Sequence, residues 1–237
     1  MRLEDYFSRQ ANKILISRRQ ASTFAKKVAG DFNPIHDENA KRFCVPGDLL
    51  FALGLNQYGL CQHMCFNFGG MVSDNVPLLF PETDADDISI HDENGKEYLN
   101  IERSGACTHN QDLIAELTQR YVEFSGQTFP HILVPLMAEK QAMINTERPL
   151  VIYERMMINV NDLDIESPTT LELSSSRLDV DGKRGNVSVQ FVVNTNGKTV
   201  GRGEKNIVLS GLRDYDQDKI DTLVTDYNGR KAAYQAA

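Results

Sequence analysis

Long uninterrupted apolar runs are missing from this 237-residue chain, and with them the usual means of crossing a membrane as a helix. The most apolar stretch, Leu49 to Leu55, is followed at once by Asn56 and Gln57 and then by Gln62 and His63, so it is not a membrane span. No apolar stretch of signal-peptide type follows Met1, and a cytoplasmic location is expected. Cysteine is scarce: the four residues show no framework spacing, which fits a reducing compartment better than a disulfide scaffold. Basic residues are outnumbered, 25 against 33 acidic. A formal charge of −8 with a pI near 5.2 argues against a nucleic-acid partner, although local basic grooves could still hold a phosphorylated carrier.

A metal site is also not expected. If the helix that begins near Gly47 runs on to Cys65, then within Cys61-Gln62-His63-Met64-Cys65 the two thiols share a face and His63 points away. Both read as core thiols, and Cys44 reads as packing. His91 and His109 sit beside predicted turns and are expected to be exposed.

What is present suffices for one large or two small cores, since 41% of the residues are hydrophobic. Ser17-Arg18-Arg19-Gln20 has the form of a capping box, and Ala21, Phe24, Ala25 and Val28 follow at helical spacing. That short amphipathic helix delivers the run Ala29-Gly30-Asp31-Phe32-Asn33-Pro34-Ile35-His36. Gly30 permits a left-handed turn, Asn33 can bond nearby backbone, and Pro34 holds Asn33 out of the helical region. A loop stiffened in this way can aim Asp31 and His36 at one water, an arrangement suited to acid–base chemistry near neutral pH. Downstream, Val45-Pro46-Gly47-Asp48 opens the second helix, whose first half must be buried on every side.

The segment from Phe24 to Leu55, and most sharply Gly30 to His36, resembles the signature of the MaoC-like, (R)-specific enoyl-CoA hydratases of the hotdog fold. The resemblance implies an α+β architecture in which a curved antiparallel sheet wraps a central helix. It assigns the catalytic pair to Asp31 and His36, which would activate a water for addition to a 2-enoyl thioester. It also places the amide of Gly47 against the thioester oxygen, where a helix N-terminus favours developing negative charge. Asn33, Pro34, Pro46, Asp48 and Phe51 are the candidate substrate contacts around these positions. Pro46-Gly47-Asp48 stands where the hydratases carry His-Gly-Met and is closer to the related dehydratases of fatty-acid synthesis. Asp48 would bring a negative side chain near the thioester, to cap the helix or to repel an anionic intermediate. His131, in Phe129-Pro130-His131, is similar to the histidine those dehydratases use.

The chain also repeats itself. Ile88 to Ile90, a turn at Asp92 to Lys96, a strand to Thr108, a turn at His109 to Asp112 and a strand closing on Ser125-Gly126 form one series. Leu171 to Val180, a turn at Asp181 to Lys183, a strand from Asn186 to Val193, a turn at Asn194 to Gly197 and a strand closing on Ser210-Gly211 form another, and Val45-Pro46 matches Val134-Pro135. Such repetition suggests duplication. With the resemblance it implies a tandem, or double, hotdog: an N-terminal unit over 1–126 with the motif, a degenerate unit over 127–211, and a helical tail over 212–237. In the tail Ile220, Leu223, Val224 and Tyr227 fall at helical spacing and Asn228-Gly229 marks the expected end. Met137, Ala138 and Met143 are either tunnel lining or core.

The expected function is therefore that of a hydratase or dehydratase acting on an acyl group carried by coenzyme A or acyl carrier protein, with no cofactor and no metal. A thioesterase of the same fold and a non-catalytic acyl-thioester-binding protein are the alternatives. The chain would work as a monomeric double hotdog or as a homodimer.

Overall fold

Ser17 begins the first helix as its spacing predicts: its hydroxyl accepts from Gln20 N–H while the Gln20 side chain returns to the Ser17 amide. This computed structural model describes residues 1–165 and 168–236. In chain order its elements begin with β1 (Ser8–Gln10), β2 (Lys13–Leu15), α1 (Arg18–Phe24), α2 (Gly47–Tyr58), β3 (Leu60–Phe68), β4 (Leu78–Leu79), β5 (Asp87–His91) and β6 (Glu97–Thr108). There follow α3 (Gln111–Gly126), α4 (Leu133–Lys140), β7 (Ala142–Met143), β8 (Val151–Val160), β9 (Thr169–Asp181), β10 (Arg184–Thr195), β11 (Lys198–Ser210), β12 (Arg213–Asp214) and α5 (Gln217–Gln235).

Ten strands form one sheet in the order β1-β2-β4-β5-β6-β3-β8-β11-β10-β9, and each neighbouring pair is antiparallel. Its centre is the β3–β8 ladder, which runs from His63 opposite Asn159 to Asn67 opposite Arg155. β6 flanks that ladder on one side and β11 on the other, so the two halves of the sheet answer one another about it. α2 is buried along its first half as expected, from Asp48 through Leu55. It packs with α3 and with Phe66, Leu99, Ile101, Met156 and Ile158 of the sheet. A second cluster joins Leu133, Leu136 and Met137 of α4 and Ile220 of α5 to Leu178, Val187, Val189, Ile207 and Leu209. The architecture is an α+β tandem hotdog, and the chain joins the two halves into one continuous sheet.

Several expectations are corrected. α2 stops at Tyr58 rather than Cys65, because Gly59 takes a left-handed φ of 80° and the chain then enters β3. Leu60 to Cys65 has good helix formers, but pairing with β6 on one side and β8 on the other outweighs that preference. Cys61 consequently faces Cys107 across the β3–β6 ladder and forms a disulfide with it, so it is not a free core thiol. Cys44 and Cys65 are free.

Residues 111–126 form a helix, not a strand. The Asn110 side chain accepts from the amides of Asp112 and Leu113, and Leu113, Ile114, Leu117, Tyr121 and Val122 then bury one face at three- and four-residue spacing. The repeat is accordingly displaced by one strand: β5 and β6 stand opposite β10 and β11 about the central ladder. The expected division at residue 126 falls at the last residue of α3. α5 runs through Asn228-Gly229 to Gln235. Met137 and Met143 belong to the second cluster of the core. His109 is exposed as expected, whereas His91 is half-buried with Nδ1 against Asp92 O. Among the described residues no helix is long and apolar enough to cross a membrane.

Candidate active site

α1 ends in a π-helical turn over Ala25–Ala29, and Gly30 follows with a φ of 65°. The loop then ties itself together. Asp31 Oδ1 accepts from the Asn33 amide at 2.9 Å, and Asn33 Oδ1 accepts from the Ile35 amide at 3.2 Å. The first of these bonds occupies one oxygen of Asp31, and the other oxygen lies on the His36 side, with Oδ2 3.8 Å from His36 Nε2.

The opposite ring nitrogen settles the tautomer. His36 Nδ1 is 2.7 Å from the carbonyl of Cys44, an atom that can only accept, so Nδ1 carries the proton and donates it. In the neutral ring Nε2 is then a bare acceptor. Nε2 and Asp31 Oδ2 are too far apart to bond directly, and both can take a proton from one molecule placed between them.

This pair lines a cavity of about 370 Å³. Asn33, Pro46, Gly47 and Asp48 line it too, while Ser125, Tyr153 and Lys205 enter from later in the chain and Leu133, Val151 and Ile207 supply apolar wall. The amides that open α2 receive no side-chain cap, which leaves the N-terminus of the helix available to a ligand atom. Two expected substrate contacts lie elsewhere. Pro34 is exposed and outside the cavity, having served to shape the loop. Phe51 is fully buried between Phe66 and Tyr121, at ring separations of 4.8 and 4.6 Å, because a helix that is apolar all round gives no sign of which side meets a cavity. His131 is exposed and does not line the cavity.

Asp48 neither caps α2 nor stands alone. Ser125 Oγ lies 2.9 and 2.8 Å from its two oxygens, and Lys205 Nζ donates to the same Oγ at 2.5 Å. The ammonium also sits 4.3 Å from the centre of the Tyr153 ring. Burial pushes the Asp48 carboxyl up, while Lys205 and the Ser125 hydroxyl pull it down and the Asp31 charge adds to the rise. Tyr121 and Tyr153 join hydroxyl to hydroxyl, and burial holds both phenols protonated far above their ordinary value. Sequence reasoning missed Ser125, Tyr153 and Lys205. One signal was available: Lys205 falls on the inward alternation of β11 between Gly203 and Ile207, where a lysine needs a partner. Among the described residues no three histidine, cysteine, aspartate or glutamate side chains converge on a metal site.

A family model described as "Protein of unknown function (DUF3581)" matches residues 1–218. The chain belongs to the DUF3581 family. No curated protein matches it. Among solved structures, this DUF3581 chain is similar to a conserved protein of unknown function with hot dog fold from Alicyclobacillus acidocaldarius (8% identity, TM-score 0.46, covering 89% of this chain and 98% of that one). It is also similar to an acyl-CoA thioesterase II from Mycobacterium marinum (8% identity, TM-score 0.42, 91% and 99%) and to a MaoC-like dehydratase (9% identity, TM-score 0.41, 86% and 97%). The hotdog assignment of this DUF3581 member rests on its own strand order and enclosed helices.

Proposed function

We propose that this chain is an acyl-thioester hydratase or dehydratase of the MaoC-like kind, acting on a 2-enoyl or 3-hydroxyacyl group carried by coenzyme A or acyl carrier protein. The observation that carries the reading is the approach of Asp31 Oδ2 and His36 Nε2 to 3.8 Å over a cavity that also reaches Gly47. A water held by both acceptors adds through its oxygen to the β carbon and gives its proton to His36 Nε2, since Nδ1 is already committed to Cys44 O. The electron pair of the double bond passes to the thioester oxygen, which the Gly47 amide stabilises. The proton returns from the pair to the α carbon, so the sum is one water added. Asp31 orients the water and offsets the charge of the imidazolium. Asp48 does not defeat this, because Lys205 balances it through Ser125.

A second reading keeps the same water and amide but directs the attack at the carbonyl carbon, which makes a thioesterase. Product analysis separates the two. Purified protein is assayed on crotonyl-CoA and longer enoyl-CoAs beside Asp31→Asn and His36→Ala. Formation of the 3-hydroxyacyl thioester, lost by roughly a hundredfold or more in each folded variant, supports the hydratase. Free thiol supports the thioesterase, and no turnover of any chain length leaves a non-catalytic binding protein.

A further inference from the structure

The chemistry proposed above uses nothing beyond β11, yet α5 returns across the molecule to the motif loop. Tyr227, nearly fully buried on that helix, is 195 residues from Phe32 in sequence and accepts from the Phe32 amide at 3.2 Å. The same hydroxyl donates to Gly30 O at 3.3 Å. Those two peptide groups flank Asp31, and one phenol grips both. Around it the loop is clamped further. The Phe32 ring meets Tyr227 and Tyr234 edge-on at 6.1 and 5.7 Å, and Tyr227 meets Phe129 at 5.1 Å. At the far end of the motif Arg230 bonds Asp37 at 3.0 Å, beside the 2.7 Å contact of Lys26 with the same carboxylate.

The loop's own bonds do not do this work. Asp31 N reaches back to Ala25 O, and the amides of Asn33 and Ile35 donate to the side chains of Asp31 and Asn33, two residues before each. Phe32 N–H and Gly30 C=O are held by Tyr227. Burial and the nearby Asp31 charge push the phenol up to about 12, so it remains a protonated donor at neutral pH. We propose that α5 is a strap across the motif loop and that Tyr227 is a positioning residue, fixing the backbone on both sides of Asp31 so that its carboxylate faces His36. The strap itself stands on contacts alone, while its effect on turnover rests on the hydratase reading. Apart from its first residues, α5 lies past the segment that the family model matches.

A carboxylate displaced by a fraction of an ångström loses its shared hold on the water, and misplacement of about 1 Å costs on the order of a hundredfold in rate. Tyr227→Phe keeps the ring and its packing and removes only the hydroxyl. Two measurements on the full chain test the proposal: hydrogen exchange at the Phe32 amide, and kcat and KM on an enoyl thioester. The expected result is exchange at Phe32 accelerated about tenfold or more, with global protection retained, and a kcat lowered about tenfold at unchanged KM. A merely structural role would lower global protection and leave the kcat of the remaining folded protein unchanged. Phe32 protection and kcat both unaltered in the variant would overturn the proposal. If the wild type turns over no thioester while exchange at Phe32 still accelerates, the hydratase reading fails and the strap stands.

Discussion

Ser125 Oγ stands within 2.9 Å of both carboxylate oxygens of Asp48, 77 residues away in sequence, and it shares its one proton with them. Lys205 completes the line from the other half of the sheet, 80 residues beyond Ser125, so a buried negative and a buried positive charge meet through a hydroxyl. Removing one charge of such a set strands the other. Lys205→Met is expected to cost about 3–5 kcal/mol, and Asp48→Asn added to it should recover much of that loss. Urea denaturation of the two single variants and the double variant gives the coupling directly. Simple additivity would show that the two side chains do not depend on one another.

The same group sets a pH dependence. Burial raises the Asp48 carboxyl above its unfolded value of roughly 3.9, so between that pH and the folded value the native chain holds more protons than the unfolded one. Stability therefore falls as pH rises through this window. Measured against Asp48→Asn, the wild type should be relatively most stable below about pH 4 and should lose ground as the pH rises toward neutrality. A difference that runs the other way would mean that Lys205 and Ser125 outweigh burial at this carboxylate.

How much of this was legible in the sequence follows from how local each feature is. The motif loop is built from neighbours, Asp31 with Asn33 and Asn33 with Ile35, and so its shape could be read from residue types alone. The hairpins β9–β10 and β10–β11 were likewise marked by their glycine-containing turns at Asp181 to Lys183 and Asn194 to Gly197. The Ser-Gly ends of the repeat predict a strand where α3 forms, although Asn110 and the apolar spacing after it mark a helix. The polar set of Asp48, Ser125 and Lys205 depends on which strand lies beside which helix; the alternation of β11 marks Lys205 as inward, but no local pattern names its partners. Tyr227 falls at helical spacing with Ile220, Leu223 and Val224, but what it packs on is decided by the path of the chain.

Cys44 lies on the cavity, and its closeness to His36 invites the idea of a nucleophile. Burial pushes its thiol up to about 11, which leaves almost no thiolate at neutral pH. Its contribution to the site is its carbonyl, which receives the His36 Nδ1 proton. Cys44→Ala should therefore retain turnover within about threefold, since the main chain is unchanged. Iodoacetamide at pH 7 should modify Cys44 in the folded chain at least about a hundredfold more slowly than an unhindered thiol. Peptide mass spectrometry follows the modification, and rapid labelling with loss of activity would reopen the case for the sulfur.

Two glycines make opposite predictions from the space around them. A Cβ on Gly126, at the end of α3, would lie 1.8 Å from the carbonyl oxygen of Ala29, and since that atom is backbone the two segments must separate. Gly126→Ala is expected to cost about 3 kcal/mol or more. Because Ala29 and Gly30 lead directly into Asp31, the separation should also reduce turnover in whatever folds. Gly229 sits exposed in the interior of α5 with nothing within 4 Å of its would-be Cβ. There alanine relieves the entropy cost of glycine in a helix, and Gly229→Ala should stabilise the chain by about 0.5–1 kcal/mol. Urea midpoints of both variants, measured side by side, check the pair. If α5 frays away from the motif loop in solution, the second substitution will gain nothing in global stability, and the strap proposed for Tyr227 will have lost its support.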